Sequence, residues 1–121
     1  MIFIVDYGMG NLHSIAKAFE YLGAEVKIGF DAKEMSKAEK IVLPGVGAFR
    51  DGIDNLKKQG LDVALRKEVI KNKKPLLGIC LGMQLLADKS FEFGEWDGLG
   101  FVSGEVCEFN IDKKLKVPHV G

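Results

Sequence analysis

Between Pro75 and Ser90 the chain reads Pro-Leu-Leu-Gly-Ile-Cys-Leu-Gly-Met-Gln-Leu-Leu-Ala-Asp-Lys-Ser, and no other stretch restricts its fold as much. A short apolar run suited to a buried strand crosses Gly78-Ile79-Cys80-Leu81-Gly82 and passes into residues of strong helix propensity. Cys80 therefore stands at a strand-to-helix corner. Small neighbours fit such a corner, because a Cβ at Gly78 or Gly82 would crowd the turn that pushes the cysteine side chain outward. This is the thiol counterpart of a nucleophile elbow. The first turn of the following helix offers unpaired N–H groups and a positive dipole end, which favour an anionic sulfur. The same N–H groups can hold the oxyanion formed when sulfur attacks a carbonyl, with the Leu81 amide the natural donor. The plainer alternative, a small core cysteine in a βα turn, fits poorly with two flanking glycines.

The segments upstream repeat the strand-loop-helix pattern. Ile2–Val5 is a β-branched and aromatic run ending at Asp6-Tyr7-Gly8-Met9-Gly10-Asn11. Asn11 can cap a helix whose apolar positions Leu12, Ile15, Ala16, Phe19 and Leu22 recur at helical spacing, and Gly23 stops it. His13 occupies the place where a dinucleotide fingerprint would carry its third glycine, so the glycines read as a tight turn or contact loop. A short strand over 25–28 is followed by a polar, weakly periodic surface stretch over 31–40. Ile41-Val42-Leu43 is the next strand; Pro44-Gly45-Val46-Gly47 ends it ahead of a helix carrying Phe49, Ile53 and Leu56 on one face. Backbone N–H groups in that glycine loop are open to a ligand, and the loop can supply a second oxyanion donor. Gly60 interrupts the helical pattern, Leu61, Ala64, Leu65 and Ile70 resume it, and the basic cluster 67–74 reads as a solvated helix end. Past the elbow, 91–98 reads as a loop over the core or the site, and 99–102 and 105–109 as strands. Cys107, in the second of these, reads as packing.

This order of elements predicts an α/β fold, a three-layer, mostly parallel flavodoxin-like sheet. Ligands bind such sheets at the carboxyl ends of the strands, where the loops at Gly8, Gly45 and Cys80 converge. At 121 residues the chain fits one domain with its own core. Seventeen basic residues balance seventeen acidic ones, so there is no field to attract nucleic acid or an anionic membrane. No apolar run has the length of a membrane span, and the first residues read as a strand, which makes the cytoplasm the expected compartment. Two cysteines and two histidines show no metal-ligand spacing, and neither a metal nor a cofactor is expected.

Four segments taken together resemble class I glutamine amidotransferases, and within them the branch that forms the glutaminase subunit of imidazole glycerol phosphate synthase. They are 6–12 (Asp-Tyr-Gly-Met-Gly-Asn-Leu), 43–49 (Leu-Pro-Gly-Val-Gly-Ala-Phe), 78–86 (Gly-Ile-Cys-Leu-Gly-Met-Gln-Leu-Leu) and 118–121 (Pro-His-Val-Gly), in the family's order. The resemblance implies that Cys80 attacks the carboxamide of glutamine, releasing ammonia and then glutamate through a thioester. It implies an oxyanion hole from Val46 and Leu81, with a reorientation of the peptide at Val46 to aim its donor. Gly47, Gln84 and Glu92 match positions that hold glutamine; a carboxylate such as Glu92 suits the α-ammonium. Ammonia would pass to a (β/α)8-barrel cyclase partner in histidine biosynthesis, across an interface that includes Asn11 and His119. The family's catalytic His and its Glu would fall past Gly121. The resemblance thus makes residues 1–121 the N-terminal portion of a single domain, incomplete at its C-terminus, inactive or very weak alone and inclined to self-associate through exposed sheet. Two other readings compete: a paralogous amidotransferase feeding a surface-sugar synthase, and a non-catalytic flavodoxin-like interaction module.

Overall fold

The computed structural model describes residues 1–109. Strands β1 (Ile2–Val5), β2 (Val26–Gly29), β3 (Lys40–Leu43) and β4 (Leu76–Gly78) form one parallel sheet in the order β2-β1-β3-β4. The chain runs from β1 out to β2 and returns to the other side of β1 for β3. The strand order therefore reverses between β1 and β3, which opens a crevice at their carboxyl ends. Helix α1 (Leu12–Tyr21) follows β1, α2 (Ala32–Ser36) follows β2, and α3 (Phe49–Lys58) and α4 (Leu61–Leu65) follow β3. A π-helical segment, Arg66–Lys71, continues α4, and one turn of helix, α5 (Leu81–Gln84), follows β4.

Alternation along each strand sorts the core into two layers, because successive side chains leave a sheet on opposite faces. Phe3, Val5, Ile41 and Leu43 point to the face covered by Phe49, Leu56, Leu61 and Leu65 of α3 and α4. Ile4 and Val42 point the other way, onto Ala16 of α1 with Leu12, Ile15 and Phe19 around it. Helices on both faces of a parallel sheet make the three-layer α/β architecture that the sequence predicts. Among the described residues no helix is long and apolar enough to cross a membrane.

Several local expectations are corrected. The stretch 31–40 contains helix α2, whose single turn is capped by the Asp31 side chain on Lys33 N and buries Met35 fully; one apolar residue in one turn leaves no periodicity to read. The elbow helix ends at Gln84, well short of what its propensity implies. The carbonyls of Leu85, Leu86 and Ala87 accept N–H bonds from Leu99, Phe101, Val102 and Gly100, and the stretch expected as a strand at 99–102 is spent closing that helix end. A second, small sheet takes β5 (Lys89–Ser90) between β6 (Trp96–Asp97) and β7 (Glu105–Val106), so the strand expected over 105–109 keeps only its first two residues. Cys107 is exposed rather than packed.

The basic cluster 67–74 is also not uniformly solvated. Lys74 is drawn inward, where its Nζ pairs with the buried Glu68 carboxylate and donates to Ser36 O at 2.7 Å. Asn72 Nδ2 donates to the other Glu68 oxygen at 3.2 Å. The Lys74 hydrogen bond holds the Glu68 carboxyl below its usual range, against the opposing effect of burial and with Asn72 helping. The native state therefore prefers the ionised carboxylate. The stability this adds is present above about pH 5 and is lost as pH falls through the depressed native value. In thermal melts Glu68→Gln should be less stable than the parent at neutral pH, and the gap should close on acidification toward about pH 3.

Candidate active site

The three glycine loops meet at the carboxyl edge of the sheet through backbone contacts. Cys80 adopts φ 52° and ψ −118°, a conformation that L residues rarely hold, and its side chain is exposed. A Cβ on Gly82 would lie 1.8 Å from Leu43 O, and one on Gly78 would lie 2.7 Å from Met83 Cα. Both glycines are thus required by the packing of the turn, the first against the end of β3 and the second against α5. Ile79 N–H donates to Leu43 O at 3.0 Å and Gln84 N–H to Cys80 O at 3.1 Å, so the corner is tied on each side of the cysteine.

The second loop lies against this corner. Leu81 N–H donates to Gly45 O at 3.2 Å. Gly45 O and Val46 N–H belong to one peptide unit and point in opposite directions across a trans bond, so Val46 N–H faces away from Leu81. Gly82 N–H donates to Ile79 O at 2.9 Å, and with α5 only one turn long the expected helix dipole behind Cys80 is small. Val46 is exposed, and Gly47 has φ +131° with Met9 Cε beside it, a conformation that accounts for glycine there without a ligand.

Tyr7, from the first loop, is a site residue that the sequence reading overlooks. It is fully buried, its hydroxyl donates to Pro44 O, and its own carbonyl accepts from Asn55 Nδ2 at 3.0 Å. Burial pushes its phenol well above the usual range, which keeps it a proton donor in this bond. A Cβ on Gly45 would meet that hydroxyl at 2.1 Å, so the tyrosine also fixes where the second loop runs. The available signal was that a buried tyrosine must find a partner for its hydroxyl.

The remaining expected residues are dispersed around this centre. Gln84 is half-buried at the end of α5. Glu92, also half-buried, accepts from Phe49 N–H at 3.1 Å and so caps α3. Asn11 is exposed and caps α1, its side chain accepting from Ser14 N–H at 3.4 Å. His119 and the segment 118–121 lie outside the described residues. A groove of about 440 Å³ between α3 and the β5–β6 hairpin is lined by residues of mixed charge, including Arg50, Lys57, Lys89 and Glu95, and does not take in Cys80.

The family model described as glutamine amidotransferase class-I matches residues 3–120. This chain belongs to that family. It is 50% identical over 121 residues to the imidazole glycerol phosphate synthase subunit HisH 1 of Campylobacter jejuni, covering 100% of this chain and 60% of that protein. It is 49% identical over 124 residues to the HisH subunit of Sulfurimonas denitrificans, covering 100% and 59%. The chain thus spans about three-fifths of the length of these curated relatives. Among solved structures, one described as a glutamine amidotransferase superposes with a TM-score of 0.73 at 20% identity, over 88% of this chain and 56% of the other. At that identity the likeness carries the fold.

Two stability outcomes follow from the site's geometry. Tyr7→Phe leaves the Pro44 carbonyl without its donor and should cost about 1–3 kcal/mol in urea unfolding. Relief of the positive φ should make Cys80→Gly more stable than Cys80→Ala by about 1 kcal/mol, read from the same unfolding curves.

Proposed function

We propose that this chain carries the nucleophile of a glutaminase. Cys80 Sγ attacks the side-chain carboxamide carbon of glutamine, the C–N bond breaks as the nitrogen is protonated and leaves as ammonia, and water then splits the thioester to glutamate and thiol. What supports this most is the exposed, positive-φ Cys80 with the Gly45–Val46 peptide lying directly against the Leu81 amide. A half-turn of that peptide frees Leu81 N–H and brings Val46 N–H round beside it, giving two donors for the oxyanion. Gly47, Gln84 and Glu92 hold the glutamine in this reading, Glu92 by its charge on the α-ammonium.

Protonating the departing nitrogen needs a general acid and activating water a general base, roles that one titratable side chain can fill in turn. Of the two histidines, His13 is exposed in the first turn of α1, and His119 lies outside the described residues. In this reading residues 1–121 form part of one amidotransferase domain, in keeping with the three-fifths of the curated relatives' length that they span. The kinship with HisH subunits supports delivery of ammonia to a (β/α)8-barrel cyclase forming imidazole glycerol phosphate, with Asn11 and His119 at the shared surface.

Treatment with an electrophilic diazoketone analogue of glutamine tests the proposal by mass spectrometry. The expected adduct forms at Cys80 and not at Cys107, and glutamine suppresses it while glutamate does not. Both thiols are exposed, so iodoacetamide should mark both. Absence of the diazoketone adduct, or equal labelling of the two cysteines by it, overturns the glutaminase reading in favour of an inert α/β module.

A further inference from the structure

We infer that Glu92 is a positioning residue that fastens the loop beside Cys80, in addition to the ammonium-binding part given it above; the inference rests on the glutaminase reading. The loop from Pro44 to Ala48 is held at two places by groups distant in sequence. Upstream, Tyr7 donates its hydroxyl to Pro44 O. Downstream, Phe49 N–H donates to Glu92 Oε1 at 3.1 Å. Phe49 opens α3 and is fully buried, and the residue at the cap position, Ala48, offers no side-chain acceptor. Glu92 therefore supplies from the far side of the chain the acceptor that residue 48 cannot, and its charge lies at the positive end of a full-length helix.

Glu92 is itself held at several points. Its N–H donates to Ser90 Oγ at 3.1 Å, with Ser90 fully buried, and its carbonyl accepts from Trp96 Nε1 at 3.0 Å. The Trp96 ring in turn lies under the Arg50 guanidinium of α3, 4.6 Å from its centroid. This second contact to α3 keeps the carboxylate in register with the helix start. Between the two pins lies Gly45-Val46-Gly47, the span whose peptide must turn to present Val46 N–H. A carboxylate accepts at two oxygens, so Oε1 can hold Phe49 while Oε2 takes the α-ammonium. One side chain then joins substrate occupancy to the placement of the oxyanion donors.

This predicts that removing the acceptor slows Cys80 even toward a probe with no ammonium to bind. The experiment uses the diazoketone analogue of glutamine and its des-amino counterpart, with hydrogen exchange at the Phe49 amide as a separate readout. Glu92→Gln keeps an acceptor for Phe49; it should lose about tenfold or more in labelling by the amino-bearing probe while des-amino labelling and Phe49 exchange stay within about twofold. Glu92→Ala should raise Phe49 exchange and lower des-amino labelling, each by about fivefold or more. Should the alanine variant fail to fold, Glu92→Asp keeps the charge but is one methylene too short to reach Phe49, and should shift both readouts in the same direction. The inference is overturned if the alanine or aspartate variant leaves Phe49 exchange and des-amino labelling within about twofold of the parent, or if glutamine in place of Glu92 slows des-amino labelling as much as alanine does. If the parent takes up neither probe, the glutaminase reading is what fails, and the exchange ratio at Phe49 alone decides the fastening.

Discussion

The site depends on one backbone-on-backbone contact, the approach of Gly82 to the end of β3. With a Cβ position 1.8 Å from Leu43 O and 2.8 Å from Pro44 O, no other residue fits there without moving the strand or the helix. The contact places the first turn of α5 directly over the end of β3. That leaves the chain between Gly78 and Gly82 too short a path for an ordinary βα turn, and Cys80 takes the positive φ that results. Strain of this kind costs on the order of 1–3 kcal/mol and persists only where surrounding structure imposes it. Here the imposing elements are the carbonyl of Leu43, which accepts from Ile79, and that of Gly45, which accepts from Leu81.

The same principle of close backbone approach runs through the second loop. The Cβ that Gly45 lacks would meet the Tyr7 hydroxyl, Leu81 Cβ and Gly82 N together. Gly10 of the first loop sits with its own missing Cβ 3.3 Å from Gly45 Cα. Three βα loops thereby approach one another backbone to backbone at Gly10, Gly45 and Gly82, with Tyr7 and Met9 the side chains set against the second loop. Peptide groups are what an oxyanion needs, and here they are held by the strand ends together with two anchored side chains, Tyr7 and Glu92.

How far the sequence disclosed this arrangement depended on range. Hydrophobic period and glycine punctuation located β1, β3, α1, α3 and the Cys80 corner, because each is a local pattern whose burial follows from parity along a strand or spacing along a helix. Contacts between distant segments were not legible. Nothing in the letters around Glu92 says that its carboxylate caps α3, because the vacancy it fills is at Ala48, 44 positions earlier in the chain. The end of α5 misled for the same reason: Leu85, Leu86 and Ala87 are good helix formers, but their carbonyls are taken by the amides of 99–102. Gly98 permits that docking, since a Cβ on it would lie 2.1 Å from Ala87 O. Lys74 read as one more solvated cation until the buried Glu68 gave it a partner.

The hydrogen bond from Leu81 to Gly45 also bears on why the resting loop lies as it does. A donor aimed into a half-buried site with nothing to receive it costs about 1–3 kcal/mol. Here the loop's own carbonyl, Gly45 O, receives it, so the Leu81 donor is satisfied and is not open to a ligand. Under the proposed chemistry that carbonyl must rotate out, and the rotation is compensated only when a charged oxygen arrives, because hydrogen bonds to charged groups are stronger than the neutral one given up. A neutral carboxamide exchanges one ordinary acceptor for another and gains little. The differential favours the tetrahedral adduct over bound glutamine, which is the condition for a contact to accelerate a reaction rather than merely tighten binding. Holding the loop at Pro44 and at Phe49 confines the rotation to Gly45–Gly47, so the donors swing without displacing α3 or the end of β3.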